Sequence, residues 1–174
     1  PAFRELADLL KKDNKIEELR IESGRISDDD VKHVIDALGN ENCKVTRLNL
    51  ARNNLTAESA KYLSDALRSS NCKLTELNLN ENILSDLGAE HLSEALKSRK
   101  CNLTKLFLNR NELKDTAVKY LSEALMNHNC ILTELCLNDN ELTDISVEYL
   151  NEALKSGNCE LTELNLNGNK LTDV

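Results

Sequence analysis

The sequence predicts an α/β solenoid: a single domain over residues 1–174 in which short parallel strands line the concave face of a right-handed horseshoe and helices cover the convex face. Three observations predict it. A block reading L-T-E-L-N-L-N-E-N begins at Leu74, and related blocks begin at Ile16, Val45, Leu103, Leu132 and Leu161, the same 29 residues apart at every step. Each block is followed by apolar residues at helical spacing. Neither half buries its own apolar face, so only a stack of such units forms a continuous core.

The elements follow in order. Phe3, Leu6, Leu9 and Leu10 form an apolar stripe that predicts an opening helix shielding the first strand. The six strands are expected to start at 16, 45, 74, 103, 132 and 161. Counting each block from its first residue, positions 1, 4, 6 and 11 are apolar, as in Leu132, Leu135, Leu137 and Leu142. Inward-facing strand residues of this kind require a helical stripe to meet them. It is present as Val31, Val34, Ala37 and Leu38, and recurs through Val118, Leu121, Ala124 and Leu125 to Val147, Leu150, Ala153 and Leu154. Ser27, Thr56, Ser85 and Thr143 stand where the helix N-caps belong, with Lys114 the exception. Asp28, Asp86, Asp115 and Asp144 follow them, where first-turn amides favour negative charge.

Asparagine occupies position 9 in five blocks, as Asn53, Asn82, Asn111, Asn140 and Asn169. An amide donates and accepts, so at the end of each strand it satisfies backbone groups of the turn from inside. These five are read as structural. Cys43, Cys72, Cys101, Cys130 and Cys159 keep the same period. Disulfides and a metal site compete with a third reading, a column of buried thiols used as small apolar groups. The identical slot in every repeat, and the lack of a C-x-x-C pair, favour the column and with it a reducing compartment. No cofactor or metal is expected.

Composition excludes several functions. Charged residues make up 30% and the net charge is −8, with 22 basic against 30 acidic side chains. That argues against general nucleic-acid binding and against an anionic membrane surface, and favours basic partners. No run of residues approaches the roughly 20 apolar positions of a membrane span. Hydrolase, dinucleotide-binding and phosphate-loop motifs are absent, and polar residues recur from repeat to repeat as scaffold residues do, so no enzyme is expected.

With its 29-residue period, its C-x-L-T-x-L-x-L-x-x-N-x-L-x-D string and its trailing L-S-E-A-L helix, the sequence resembles the ribonuclease-inhibitor-type leucine-rich repeat. Ribonuclease inhibitors, the sensor regions of NOD-like receptors and effectors of intracellular bacteria carry similar repeats. The resemblance implies a cytoplasmic protein-binding scaffold without catalysis, within a larger sensor or effector protein, or one delivered into a host cytosol. The chain departs from ribonuclease inhibitors in its uniform period and its lack of tryptophan.

Strands spaced ~4.8 Å apart and helices needing ~8–10 Å put the strands on the shorter, concave arc. Positions 3, 5, 7 and 8 face outward there. Position 3 runs Glu18, Arg47, Glu76, Lys105, Glu134, Glu163, and position 8 runs Ser23, Arg52, Glu81, Arg110, Asp139, Gly168. The alternation is expected to neutralise itself across neighbouring strands. Position 7, mostly asparagine, is read as generic. At position 5, Phe107 and Cys136 interrupt a polar column. Ringed by Lys105, Arg110, Glu134 and Asp139, they form a candidate partner-binding anchor, with Cys136 expected as the thiol most open to reagents. A column of rings on the helices, His33, Tyr62, His91, Tyr120 and Tyr149, is read as packing between helices.

The function expected is protein–protein interaction through the concave strand face. The alternatives are a structural spacer with no partner of its own, or a ribonuclease inhibitor. The start at Pro1 and the absence of a polar cap after Leu161, Leu164, Leu166 and Leu171 are read as signs of a longer array, with self-association through residues 161–174 expected of the isolated chain.

Overall fold

The computed structural model describes residues 2–22 and 24–173. Six helices and six strands alternate: α1 Ala2–Leu10, β1 Glu18–Arg20, α2 Asp28–Ala37, β2 Arg47–Asn49, α3 Ala57–Leu67, β3 Glu76–Asn78, α4 Ser85–Leu96, β4 Lys105–Phe107, α5 Asp115–Leu125, β5 Glu134–Cys136, α6 Asp144–Lys155 and β6 Glu163–Asn165. The strands form one parallel sheet in sequence order, β1 to β6. Its register is the sequence period: Glu18 pairs with Arg47, Arg47 with Glu76, Glu76 with Lys105, Lys105 with Glu134 and Glu134 with Glu163. This is the predicted α/β solenoid, with each strand beginning two residues into its block.

The core lies between sheet and helices. Positions 1, 4, 6 and 11 of the middle units are buried, as are the helical stripes, and they form one continuous cluster. The ends differ from expectation. Leu9 is 55% exposed, and Ala7 takes its place beside Leu10 in the core. Leu154 is 51% exposed, and Val147 is also exposed. The cause is the directionality of the stack. The alanine that holds the Leu9 position in later repeats faces the preceding helix, whereas the leucine at the Leu154 position faces the following one. A terminal unit therefore leaves one of the two uncovered.

The side-chain clamps run between repeats. Asn82, Asn111, Asn140 and Asn169 each donate Nδ2 to a carbonyl of the preceding unit, at 3.0, 2.8, 3.1 and 2.9 Å. Their Oδ1 atoms accept the amides of Leu55, Leu84, Leu113 and Leu142 at 3.1–3.2 Å. Each asparagine side chain of the ladder therefore bonds the neighbouring turn as well as its own. Beside it, position 8 takes the left-handed conformation, with φ of 58°, 57°, 53° and 54° at Arg52, Glu81, Arg110 and Asp139. Side chains rarely adopt this conformation outside glycine. The clamped turns hold it in each of these four repeats.

Ser27, Thr56 and Thr143 cap their helices as expected, Ser27 within a capping box closed by Asp30. Ser85 does not. It lies inside α4 at φ 59°, and the residue before it, Leu84, makes no side-chain cap. Two neighbours explain the difference. The aspartates after the caps reach the next repeat: Asp28 accepts from the Thr56 amide at 2.9 Å and the Thr56 hydroxyl at 2.7 Å, and Asp115 does the same for Thr143. Ala57 replaces that aspartate before the third unit, so Ser85 has no such partner. Gly88 then lets the turn fold inward, since a Cβ there would lie 2.8 Å from Leu84 Cβ.

Candidate functional site: the concave sheet face

The outward side chains of the sheet largely satisfy one another. In the position 3 row, Arg47 meets Glu18 at 3.2 Å, and Lys105 lies between Glu76 at 3.6 Å and Glu134 at 3.8 Å. In the position 8 row, Arg52 meets Glu81 at 3.4 Å and Arg110 meets Asp139 at 3.2 Å. Ser23, at the head of that row, lies outside the described residues. The self-neutralising ladder expected from the alternation is present, each exposed pair contributing up to ~1 kcal/mol. The alternation of sign fails between β5 and β6, where Glu134 and Glu163 are register partners of like charge.

Two further ladders were not anticipated in their roles. Threonines at position 2 each donate a hydroxyl to a backbone carbonyl of the preceding unit, from Thr46 to Glu17 at 3.3 Å through Thr133 to Thr104 at 3.1 Å. The position 7 asparagines, read as generic, accept the backbone amide of the next repeat: Asn80 from Asn109 at 2.8 Å, Asn109 from Asn138 at 2.7 Å and Asn138 from Asn167 at 2.8 Å. The recurrence of both residue types at fixed positions was the available signal.

Phe107 and Cys136 are register partners on β4 and β5, so the sequence-predicted anchor residues are brought together. Only one of them is accessible. Phe107 is half-buried, whereas Cys136 is 5% exposed, which corrects its reading as the open thiol. Concave curvature crowds the side chains of adjacent strands, and Asn165 on β6 donates its amide to Cys136 Sγ at 3.1 Å. Burial raises the Cys136 thiol, with Asn165 opposing and Glu134 and Glu163 reinforcing the shift, so the sulfur stays protonated. Phe107 instead opens towards the other side. It walls a depression of about 130 Å³ over β1–β4, whose remaining lining includes Arg20, Arg47, Asn49, Glu76 and Asn78. The predicted rim of Lys105, Arg110, Glu134 and Asp139 flanks the anchor with its charges already paired to one another or to Glu76.

The five periodic cysteines are all free thiols, four of them buried and Cys159 half-buried at the last unit. Burial raises Cys72 and Cys130 and pushes Cys101 up to about 11, each also feeling a neighbouring thiol of the column. On the convex side, Tyr62 and Tyr149 pack partly against the core, and Lys32 Nζ lies 5.1 Å from the Tyr62 ring centre. Among the described residues, no group of three metal-ligating side chains is assembled.

A leucine-rich-repeat family model matches residues 41–64, 70–93, 128–150 and 157–174, just over half the chain. The chain belongs to the leucine-rich-repeat family. No curated protein sequence matches it. Among solved structures it is similar to the actin-binding site 2 of leiomodin-1, with 16% identity over 90% of this chain and 92% of that one and a TM-score of 0.64. An internalin of Listeria monocytogenes, 20% identical, matches 82% of this chain and 46% of its own length with a TM-score of 0.42. The leiomodin likeness is one of fold.

Proposed function

We propose that the chain is a non-catalytic scaffold that binds another protein across the concave sheet face, seating an apolar side chain of the partner in the depression beside Phe107. One observation carries this reading: Phe107 is the aromatic side chain on a face where the adjacent charges of Lys105, Glu76 and Glu134 are paired with one another, and it forms a wall of that depression. An apolar anchor inside a polar rim is the usual arrangement of an interface hot spot. The actin-binding role of the leiomodin-1 site accords with it and leaves the partner of this chain open. The buried thiol column supports a reducing compartment, the cytoplasm or a host cytosol, and the parent protein is read as a sensor or effector.

The test is capture from cytosolic lysate followed by titration of the captured protein. Phe107→Ala is expected to weaken binding by at least ~2 kcal/mol, the hot-spot threshold, while Lys97→Ala on the convex side changes it little. Equal small effects of both, or no specific capture, would replace this reading with that of a structural spacer.

A further inference from the structure

The depression beside Phe107 is too small for a free small molecule and too polar to be matched by an apolar side chain alone. Its volume is about 130 Å³, against the ~300–1,000 Å³ of pockets that enclose such ligands. It takes one side chain of a macromolecule and leaves the polar groups around it to meet the flanking residues. We infer that the flanking residues of the partner carry a carboxylate: the depression seats an apolar side chain against Phe107, and Arg47, with Arg20 and Asn78, holds an aspartate or glutamate of the same segment. This rests on the concave-face reading and names the chemistry of the partner within it.

The hydrogen-bond inventory of the lining decides the sign. Glu18 and Glu76 line the depression, but both carboxylates are engaged. Arg20 meets Glu18 Oε1 at 2.7 Å, and Arg47 meets Glu18 Oε2 at 3.2 Å. Hydrogen bonds from Arg20 and then Arg47 hold the Glu18 carboxyl below its ordinary value, so it stays an anion. Glu76 faces Lys105 at 3.6 Å. Two guanidiniums carry far more N–H donors than one carboxylate accepts. The arginine side chains are 67% exposed at Arg20 and 44% at Arg47, so their remaining donors are open. Asn78 Oδ1 accepts the Asn80 amide at 3.0 Å, which leaves its Nδ2 to donate outward. Asn49 is already spent: Oδ1 accepts the Ala51 amide at 2.9 Å and Nδ2 donates to Glu22 at 2.6 Å. The open valences of the lining are therefore donors, and a carboxylate is the group that fits them. A basic side chain would meet only carboxylates already shared with arginine or lysine.

The register fixes the spacing. Asn78 on β3 is the partner of Phe107, and Asn49 on β2 is the partner of Asn78. Arg47 projects from the same face of β2 as Asn49. Two steps of ~4.8 Å separate β4 from β2, so the acidic group falls about 10 Å from the anchor, about three residues away in an extended segment rising ~3.3 Å per residue. The net charge of −8 favours basic partners at long range. Salt screens that field beyond ~8–10 Å, so within the contact the local arginines decide.

Selection of short random peptides displayed on phage against the whole chain, followed by titration of the recovered peptides, tests this. They are expected to carry an aliphatic or aromatic residue with aspartate or glutamate about three positions away. Arg47→Gln should weaken them at least about tenfold and flatten the salt dependence of binding. Arg110→Gln, whose charge is taken up by Asp139 at 3.2 Å, should change binding little. Glu18 keeps Arg20 when Arg47 is replaced, so the circular dichroism spectrum and unfolding midpoint should match the wild type. Replacing the acidic residue of the peptide by its amide should cost a similar factor on the unaltered chain. Peptides that lose affinity with Phe107→Ala but not with Arg47→Gln, or that carry lysine or arginine at that spacing, would overturn the inference and leave the anchor standing. Peptides indifferent to both substitutions, or no enrichment at all, would remove the concave-face reading as well.

Discussion

Replacing Asn111 by alanine isolates the clamp that joins the third and fourth repeats. Asn111 is fully buried. Its Nδ2 donates to the Leu79 carbonyl at 2.8 Å and the Asn109 carbonyl at 3.2 Å, and its Oδ1 accepts the Leu84 amide at 3.2 Å. Alanine leaves the Leu84 amide buried without a partner, which costs about 1–3 kcal/mol. The Leu79 carbonyl keeps its bond from Asn82, so there only one net hydrogen bond is lost, and another is lost at Asn109, each worth about 0.5–1.5 kcal/mol. The expected destabilisation is therefore about 2–6 kcal/mol, a large share of the roughly 5–15 kcal/mol typical of a folded domain. Asn109→Ala is the control. Its Oδ1 accepts a single amide, from Asn138 at 2.7 Å, on a half-buried face where water can replace it. The assay is urea unfolding followed by circular dichroism, with hydrogen exchange resolving the Leu84 amide. Repeat arrays lose stability joint by joint, so exchange near Leu84 should accelerate more than exchange near Leu142. A loss below about 1 kcal/mol with unchanged protection of Leu84 would refute the assignment of inter-repeat cohesion to the asparagine ladder.

Two further outcomes follow from the titrating groups. Burial raises the Asp28 and Asp115 carboxyls, but the hydroxyls of Ser59 and Thr56, and of Ser146 and Thr143, outweigh it together with backbone amides and hold both below the usual aspartate value. Because the folded pKa lies below the unfolded one, the stabilisation is complete above the ordinary carboxylate range and is lost as pH falls through the lower folded value. The Asp28→Asn, Asp115→Asn double variant should be less stable at neutral pH and show a shallower decline of stability in acid; an unchanged acid limb would remove these clamps from the account. Thiol labelling of the native chain should modify half-buried Cys159 first, with Cys101 and Cys136 reacting only as the structure opens; early labelling of Cys136 would contradict its cover by Asn165.

The repeat made most of this architecture legible. In a solenoid the neighbour of any residue is its own counterpart 29 positions away, so a column in the sequence is a column in space. That is why the strand register, the ion pairs from Arg47 to Glu18 and from Arg110 to Asp139, the asparagine ladder and the thiol column could all be read from spacing alone. The helical stripe was equally legible in the middle units, where each helix has a neighbour on both flanks.

Tertiary structure decided what depends on the particular pair meeting at one joint or on a missing neighbour. Ser85 fails as a cap because Ala57 interrupts the aspartate series one repeat earlier and Gly88 makes room for Leu84. Cys136 is closed because Asn165 reaches its sulfur across the strand gap, and so Phe107 alone remains as the accessible part of the predicted anchor, opening towards β1–β3. Leu9 and Leu154 belong to the apolar pattern yet stand in solvent, because a pattern states which face is apolar and only packing states whether anything covers it. The physical reason is common to all three. Periodicity encodes the average contact between repeats, whereas burial and side-chain capping are set by the actual atoms on both sides of each interface.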